Sequence, residues 1–462
     1  MTTATTTAGH ASTGRLRDRV AARIAIARRV AEVSALDRPG LDDWARQALA
    51  RAVRHACANS PFYAAHVPGE VAEAAAAGRP GAFRRLPFTT REHLKAGYPL
   101  GLLAVPKREV IRFDESSGTG DGRSIGAFFT VEDWLENNLT VAGLLAAVVD
   151  ARDVVAVAVP YELAGVGQDL DRAFEILGCT IVPLGAASPG CPPERMVRAL
   201  RNAGATTLVC SGTRALFLGE TARRAGLDPR RDLAVTRILM AGEGSSPAKK
   251  QRLHDLWGAT AYSMFGMTET NTLAMFCALG DLHLVETRSY FEVVDPASGA
   301  PLPDGSVGEL AVTTLASRAM PLLRYRTGDT CLIEAAPCAC GSPLRRLRHR
   351  GRMGDRIRVG TRWTSQLEVE DIVLGAMTAA PYYFAFDVDG DALEIALPPS
   401  SGDDATRALI ADRARERLGA PTRFRALDVA RFEQALRTSA KPTMRNFTAP
   451  HGRPGGEGGG GT

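Results

Sequence analysis

The chain has 462 residues, 45% hydrophobic and 23% charged, the profile of a globular protein too long for one ordinary core. Its 56 Lys and Arg against 51 Asp and Glu leave a net +5, spread without a run of five like charges, which argues against nucleic acid as a partner. No stretch reaches the roughly eighteen apolar residues of a membrane span, so no membrane partner is expected.

Met1 to Gly14 is rich in Thr and Ala and reads as a disordered leader, followed by an Arg-rich first helix from Arg15 to Val33. A second helix is expected over Leu41 to Ala56, with Pro61 just beyond it, and a short helix near Glu92 capped by Thr89 or Thr90. From Asp153 to Met240 short apolar runs (Val154–Val159, Thr180–Pro183, Thr207–Cys210, Ile238–Met240) alternate with amphipathic helices such as Gln168–Leu177 and Pro193–Ala203. That rhythm is a βα series building a mostly parallel sheet. Tyr290 to Ile333 changes to strands joined by turns, including Pro303-Asp304-Gly305, which predicts a β-rich subdomain. After Arg352 come a helix Gln366–Met377, a hairpin around Asp389-Gly390-Asp391, a helix Asp404–Leu418 and a strand Phe424–Ala430, a small α+β domain. Gly455–Thr462 is nearly all glycine, and residues 451–462 read as a disordered Gly-rich tail. The eight cysteines form no evenly spaced disulfide framework, which fits a reducing cytoplasm.

Ser116-Ser117-Gly118-Thr119-Gly120-Asp121-Gly122-Arg123 follows the apolar run Val110–Phe113. Small residues let backbone N–H groups and hydroxyls close around phosphate oxygens, and Arg123 adds a cation. The Gly-Lys-Ser/Thr ending of a P-loop is missing, and alone such a stretch is more often a plain turn. Downstream stand Tyr262-Ser263-Met264-Phe265-Gly266-Met267-Thr268-Glu269, then Gly308-Glu309-Leu310. Tyr325-Arg326-Thr327-Gly328-Asp329, Gly351-Arg352-Met353-Gly354-Asp355 and Ser439-Ala440-Lys441-Pro442 complete the series.

In this order and spacing the segments resemble the adenylate-forming superfamily of acyl-CoA synthetases and adenylation domains. Ser60-Pro61-Phe62-Tyr63, Leu86-Pro87-Phe88-Thr89-Thr90-Arg91-Glu92, Ala241-Gly242-Glu243 and Ser365-Gln366-Leu367-Glu368 make the chain similar to the phenylacetate-CoA ligase family, from about Leu41 to Arg445. The resemblance implies an α/β fold. A large N-terminal domain (15–351) would hold parallel sheets and the β-rich subdomain, and a small mobile α+β domain (352–450) would follow it. It also implies roles. Asp329 holds the ribose hydroxyls and Arg352 the sugar or phosphates. Glu269 binds Mg²⁺, and Thr268, Ser116, Ser117, Gly118, Thr119 and Arg123 contact phosphate. Gly242, Glu243 and Tyr262 line the adenine pocket, and Lys441 stabilises the charge that develops at the α-phosphate. Three departures from the family pattern are Arg123 in the phosphate loop, Gly354 at the hinge and Ala440 before the lysine.

By the same resemblance Tyr161, Glu162, Ala164 and Gly266 line the acyl pocket. Glu162, Asp169 or Asp171 would read a polar substituent, unless they are solvated helix-start carboxylates. Cys277, His283, Cys338 and Cys340 supply three thiols and one imidazole, a tetrahedral zinc set whose closed shell makes the metal structural. Related ligases with this pattern are similar to zinc proteins; the alternative is a chance Cys-x-Cys. The implied reaction joins a small, aromatic carboxylic acid to ATP and then to coenzyme A, with a homodimer as the assembly. A carrier protein or an amine is the alternative acceptor, and a catalytically inactive binding homologue is a third reading.

Overall fold

Two strand patterns in the sequence become two kinds of strand pairing. The computed structural model describes residues 5–116, 123–186 and 188–438, with side chains from Arg17 to Arg437. Short apolar runs pair in parallel, Val154–Val157 with Thr180–Pro183 and Thr207–Cys210 with Arg237–Met240. Helices separate them (Val166–Leu177, Pro193–Ala203, Gly212–Arg224), as parallel strands require a crossover. The β-rich stretch forms a seven-stranded antiparallel sheet, entirely within 265–352. Its Tyr325–Glu334 strand alternates strictly between buried and half-buried residues, the period-2 signature of a sheet with one covered face. Leu273, Phe291, Leu310, Val312, Cys331 and Leu347 fill the core beneath it.

The described residues divide into two compact units, one within Met1–Gly185 and Tyr262–Met353, the other within Ala186–Ala261 and Gly354–Thr462. The sequence reading divides the chain at 351/352, next to the 353/354 crossing, but treats the C-terminal stretch as a domain by itself. In the structure that stretch shares a unit with 186–261. The joint is polar and buried. The N-terminal end of the Pro247–Trp257 helix presents Ser246 N to Glu370 (2.8 Å) and Ala248 N to Asp371 (3.1 Å), both on the Gln366–Ala376 helix. Carboxylates there satisfy N–H groups that have no partner inside their own helix. Lys249, 1% exposed, adds its ammonium to Glu370 at 2.6 Å.

Several elements differ from their sequence expectation. The first helix runs Thr5–Ser34, so it begins inside the stretch expected to be a disordered leader, where alanines favour helix. The last expected strand ends early, at Thr422–Ala426, and a helix Val429–Thr438 follows, its buried Phe432 and Leu436 spaced one turn apart. Thr90, not Thr89, caps the Arg91–Ala96 helix, in a reciprocal box with His93. Thr89 is buried and bonds Leu323 O (2.8 Å) and the Tyr63 hydroxyl (2.9 Å). Among the described residues no helix is long and apolar enough to cross a membrane.

Candidate functional site

Strand alternation decides where Asp329 points. Residues 325, 327 and 329 lie on the buried face of their strand, which leaves the Asp329 side chain 1% exposed. One oxygen bonds His349 Nε2 (2.9 Å) and lies 3.5 Å from Arg352 Nε, which antiparallel pairing sets opposite Asp329. The other oxygen, Oδ2, is buried without a hydrogen-bond partner among the described residues. A buried carboxylate oxygen left unpaired is costly, so an outside donor that reached it would be favourable. Gly328 reaches a φ of 75° where the strand's register with its neighbour shifts, a conformation that glycine adopts at little cost.

Glu269 sits on the tight turn between the Phe265–Met267 and Asn271–Phe276 strands, and it is 5% exposed. The Tyr325 hydroxyl donates to its Oε1 at 2.7 Å. Burial and the Glu269 carboxylate push that hydroxyl far above its ordinary pKa, so it stays a donor. Thr268 is half-buried beside it on the turn. Gly266 leaves no room for a side chain, because a Cβ there would lie 2.5 Å from Asn271 O. Tyr262 is buried, with its ring 4.8 Å from that of Phe276. The Ser116 hydroxyl accepts Ile125 N at 2.8 Å. Arg123 pairs with Glu92 at 2.8 Å and is exposed. Ser117, Gly118, Thr119 and Lys441 lie outside the described residues.

Gly242 and Glu243 belong to the other unit. One Glu243 oxygen, Oε1, accepts Thr213 N (2.7 Å) and Thr213 Oγ1 (3.1 Å) and meets Lys249 Nζ (3.0 Å), which fixes the side chain to its own unit. Burial opposes the Lys249 charge, but Glu243 and Glu370 outweigh it and hold the ammonium above its ordinary range. Lys249, Tyr325 and His349 were given no role by the sequence reading. His349 stands three residues before Arg352, and the sequence carries no other sign of its contact.

Of the acyl-side residues, Tyr161 donates its hydroxyl to Asp171 at 2.7 Å and lines an open groove of about 460 Å³ with Ile111, Arg112, Trp134 and Gln168. Neither Ala164 nor Gly266 lines that groove. Glu162 is exposed and accepts the Tyr161 backbone N–H at 3.1 Å. Leu163 takes a φ of 53°, strain at a loop that carries site residues.

The four metal-set atoms of Cys277, His283, Cys338 and Cys340 lie within 4.8 Å of one another. A tetrahedral zinc with sulfur at about 2.3 Å sets its ligands roughly 3.8 Å apart, so a small contraction completes the shell. His283 donates Nδ1–H to Leu344 O (2.7 Å), which leaves the Nε2 lone pair facing Cys340 Sγ at 3.5 Å. Backbone N–H groups of Cys340 and Ser342 point at Cys338 Sγ (3.5 Å) and Cys340 Sγ (3.4 Å). A Cys340 amide pulls Cys338 down in pKa. Partial burial, hydrogen bonds to Cys340 and Asp281 and the nearby Cys277 outweigh it and push the thiol up to about 11.

A family model described as AMP-binding enzyme matches residues 127–316. Over 306 residues the chain is 32% identical to phenylacetate-coenzyme A ligase of Thermus thermophilus, which covers 65% of this chain and 67% of that protein. The chain belongs to the phenylacetate-coenzyme A ligase family. The ligase of the same name from Escherichia coli strain K12 is 29% identical over 338 residues, covering 70% of this chain and 74% of its own. A solved 2-hydroxyisobutyryl-CoA ligase, in complex with its acyl-adenylate, matches with a TM-score of 0.75 at 21% identity, covering 83% and 85% of the two chains, a likeness of fold.

Proposed function

We propose that the chain is an AMP-forming acid–thiol ligase. It activates a small carboxylic acid, of the aromatic class, with ATP and passes the acyl group to coenzyme A. The observation that carries this reading is Asp329, a fully buried carboxylate held by His349 on one oxygen and open on the other, beside Arg352. That open oxygen suits the ribose hydroxyls of ATP. In the first step a substrate carboxylate oxygen bonds to the α-phosphorus and pyrophosphate leaves; in the second a thiol adds to the acyl carbon and AMP leaves.

Tyr325 fixes one oxygen of Glu269, a carboxylate that would hold Mg²⁺, and the ion would supply charge neutralisation as pyrophosphate departs. Thr268 supplies a hydroxyl on the same turn, and Lys441 the cation of the first step. Residues 352–450 serve as the moving domain, with Gly354 as its hinge. The Cys277–His283–Cys338–Cys340 set holds a structural zinc, supported by its donor chemistry and by the fixed His283 tautomer. A cytoplasmic location belongs to the same reading, in keeping with eight cysteines carried as thiols.

The test is pyrophosphate release with MgATP across aryl and short alkyl acids, with and without coenzyme A, beside Glu269→Ala. Acid-dependent release that the variant loses, with thioester formed only when coenzyme A is added, is the expected result. Release coupled to an amine or a carrier protein instead would move the acceptor. No release from any acid would overturn the reading.

A further inference from the structure

The first unit contains a buried polar network that the proposed reaction does not use. Asp169, in the first turn of the Val166–Leu177 helix, makes no cap for that helix; its side chain turns inward and is 14% exposed. Its Oδ1 accepts Arg112 Nη1 at 2.6 Å, and its Oδ2 accepts Asn137 Nδ2 and Asn271 Nδ2, each at 3.3 Å. Arg112 is itself 11% exposed and turns its Nε to Asp114 at 2.8 Å, so both partners lie on the Val110–Glu115 strand that leads into the phosphate loop. Asn271 follows Glu269 by two residues and holds a φ of 58°, a left-handed conformation that its contact to Asp169 helps to keep. Asn137 is fixed in turn by Arg288 at 2.8 Å.

The packing is tight where the elements meet. A Cβ on Gly165 would lie 2.2 Å from Asp114 Oδ2 and 2.5 Å from Arg112 Nη2, so the acyl-side loop can pass here only as glycine. Both Asp169 oxygens are therefore committed inside the protein, and the residue is not a reader of the substrate.

We propose that Asp169 is the positioning residue of the nucleotide site. It ties together three separate segments: the strand before the phosphate loop, the start of the acyl-side helix and the turn that carries Glu269. Its part is to hold these groups at the spacing that one MgATP spans, since a site pre-set by neighbours loses less on binding. This rests on the proposed nucleotide site and adds a residue to it. Burial pushes Asp169 up to about 6; Arg112 and Arg288 oppose that rise, and Asp114 adds to it. The charged groups facing the network are Arg112 and Asp114 from the strand, Arg288, and, around Arg288, Asp133 and Glu136 of the Val131–Leu145 helix. Above this pKa the carboxylate is charged and grips Arg112; below it the grip weakens.

The experiment is calorimetric binding of MgATP to the full chain from pH 5 to pH 8, comparing wild type with Asp169→Asn and Asn271→Gly, with folding checked by circular dichroism. The nucleotide's own ionisation is common to all three and cancels in their ratio. Asp169→Asn is expected to bind about tenfold more weakly at pH 8, on the scale of one charge-assisted hydrogen bond, with the gap closing toward pH 5. Asn271→Gly keeps the left-handed backbone without the amide and is expected to bind weaker than wild type by a smaller factor. If Asp169→Asn melts early yet binds MgATP as tightly as wild type, or if the ratio stays constant across the pH range, the proposal is overturned. Should Asp169→Asn fail to fold, unaltered binding by Asn271→Gly overturns it by itself. A wild type that binds MgATP with this pH dependence but releases pyrophosphate with no acid would defeat the proposed reaction and leave this inference standing.

Discussion

His349 shows how much of the candidate site rests on a single contact. It holds one oxygen of a carboxylate that is almost wholly buried, and its removal leaves that oxygen with the longer Arg352 contact alone. His349→Ala is expected to raise KM for ATP about tenfold, roughly 1.4 kcal/mol, while KM for the acid stays put; steady-state kinetics with each substrate varied will check it. Tyr325→Phe removes the donor that orients Glu269, so half-maximal pyrophosphate release should require a higher Mg²⁺ concentration. At this scale the sequence offered Asp329 through the resemblance of its Tyr-Arg-Thr-Gly-Asp segment to a known family, and the strand alternation that buries it came from the structure. The sequence was silent on His349, whose contact depends on the register between two strands. Glu243 was assigned to the adenine pocket by resemblance, and the structure adds that one of its oxygens meets Thr213 and Lys249, contacts the motif did not announce.

Elements meet through two clusters, and each predicts a measurable loss. Lys249, with Glu243 and Glu370, joins the 186–261 stretch to the Gln366–Ala376 helix. Lys249→Met leaves the buried Glu370 and the half-buried Glu243 without their cation, and removing one side of a buried pair costs about 3–5 kcal/mol. Chemical denaturation should show that loss, and the companion change Glu370→Gln in the same chain should restore part of it. The Cys–His set includes a central strand of the seven-stranded sheet, where His283 pairs with Arg346. Metal analysis of the purified chain should find zinc near one per chain, and Cys340→Ser or chelation should lower Tm without removing the nucleotide-site residues. The four ligands could be read from the sequence as a set, since thiols and imidazole in that number have few other uses. Their nearness needed the sheet, which brings Cys277 and Cys338 together across sixty residues of chain.

At the scale of the whole molecule, the chain crosses between its units at 185/186, 261/262 and 353/354. Gly354 stands at the last crossing, and a Cβ there would meet nothing within 4 Å. Gly354→Ala should therefore be silent. Gly354→Pro, which restricts the backbone, should slow thioester formation more than pyrophosphate release if the hinge reading holds. Measuring the two half-reactions separately decides between that outcome and equal loss in both.

Apolar periodicity and turn residues determined the kinds of element, because side chains alternate by two in strands and recur by three or four in helices. The order of the motifs likewise announced the family before any fold was seen. Only the tertiary structure decided that the C-terminal stretch packs with 186–261, that Asp169 faces inward and that Asp329 keeps one oxygen free. These depend on strand register and on buried contacts between residues far apart in sequence, which local pattern does not encode.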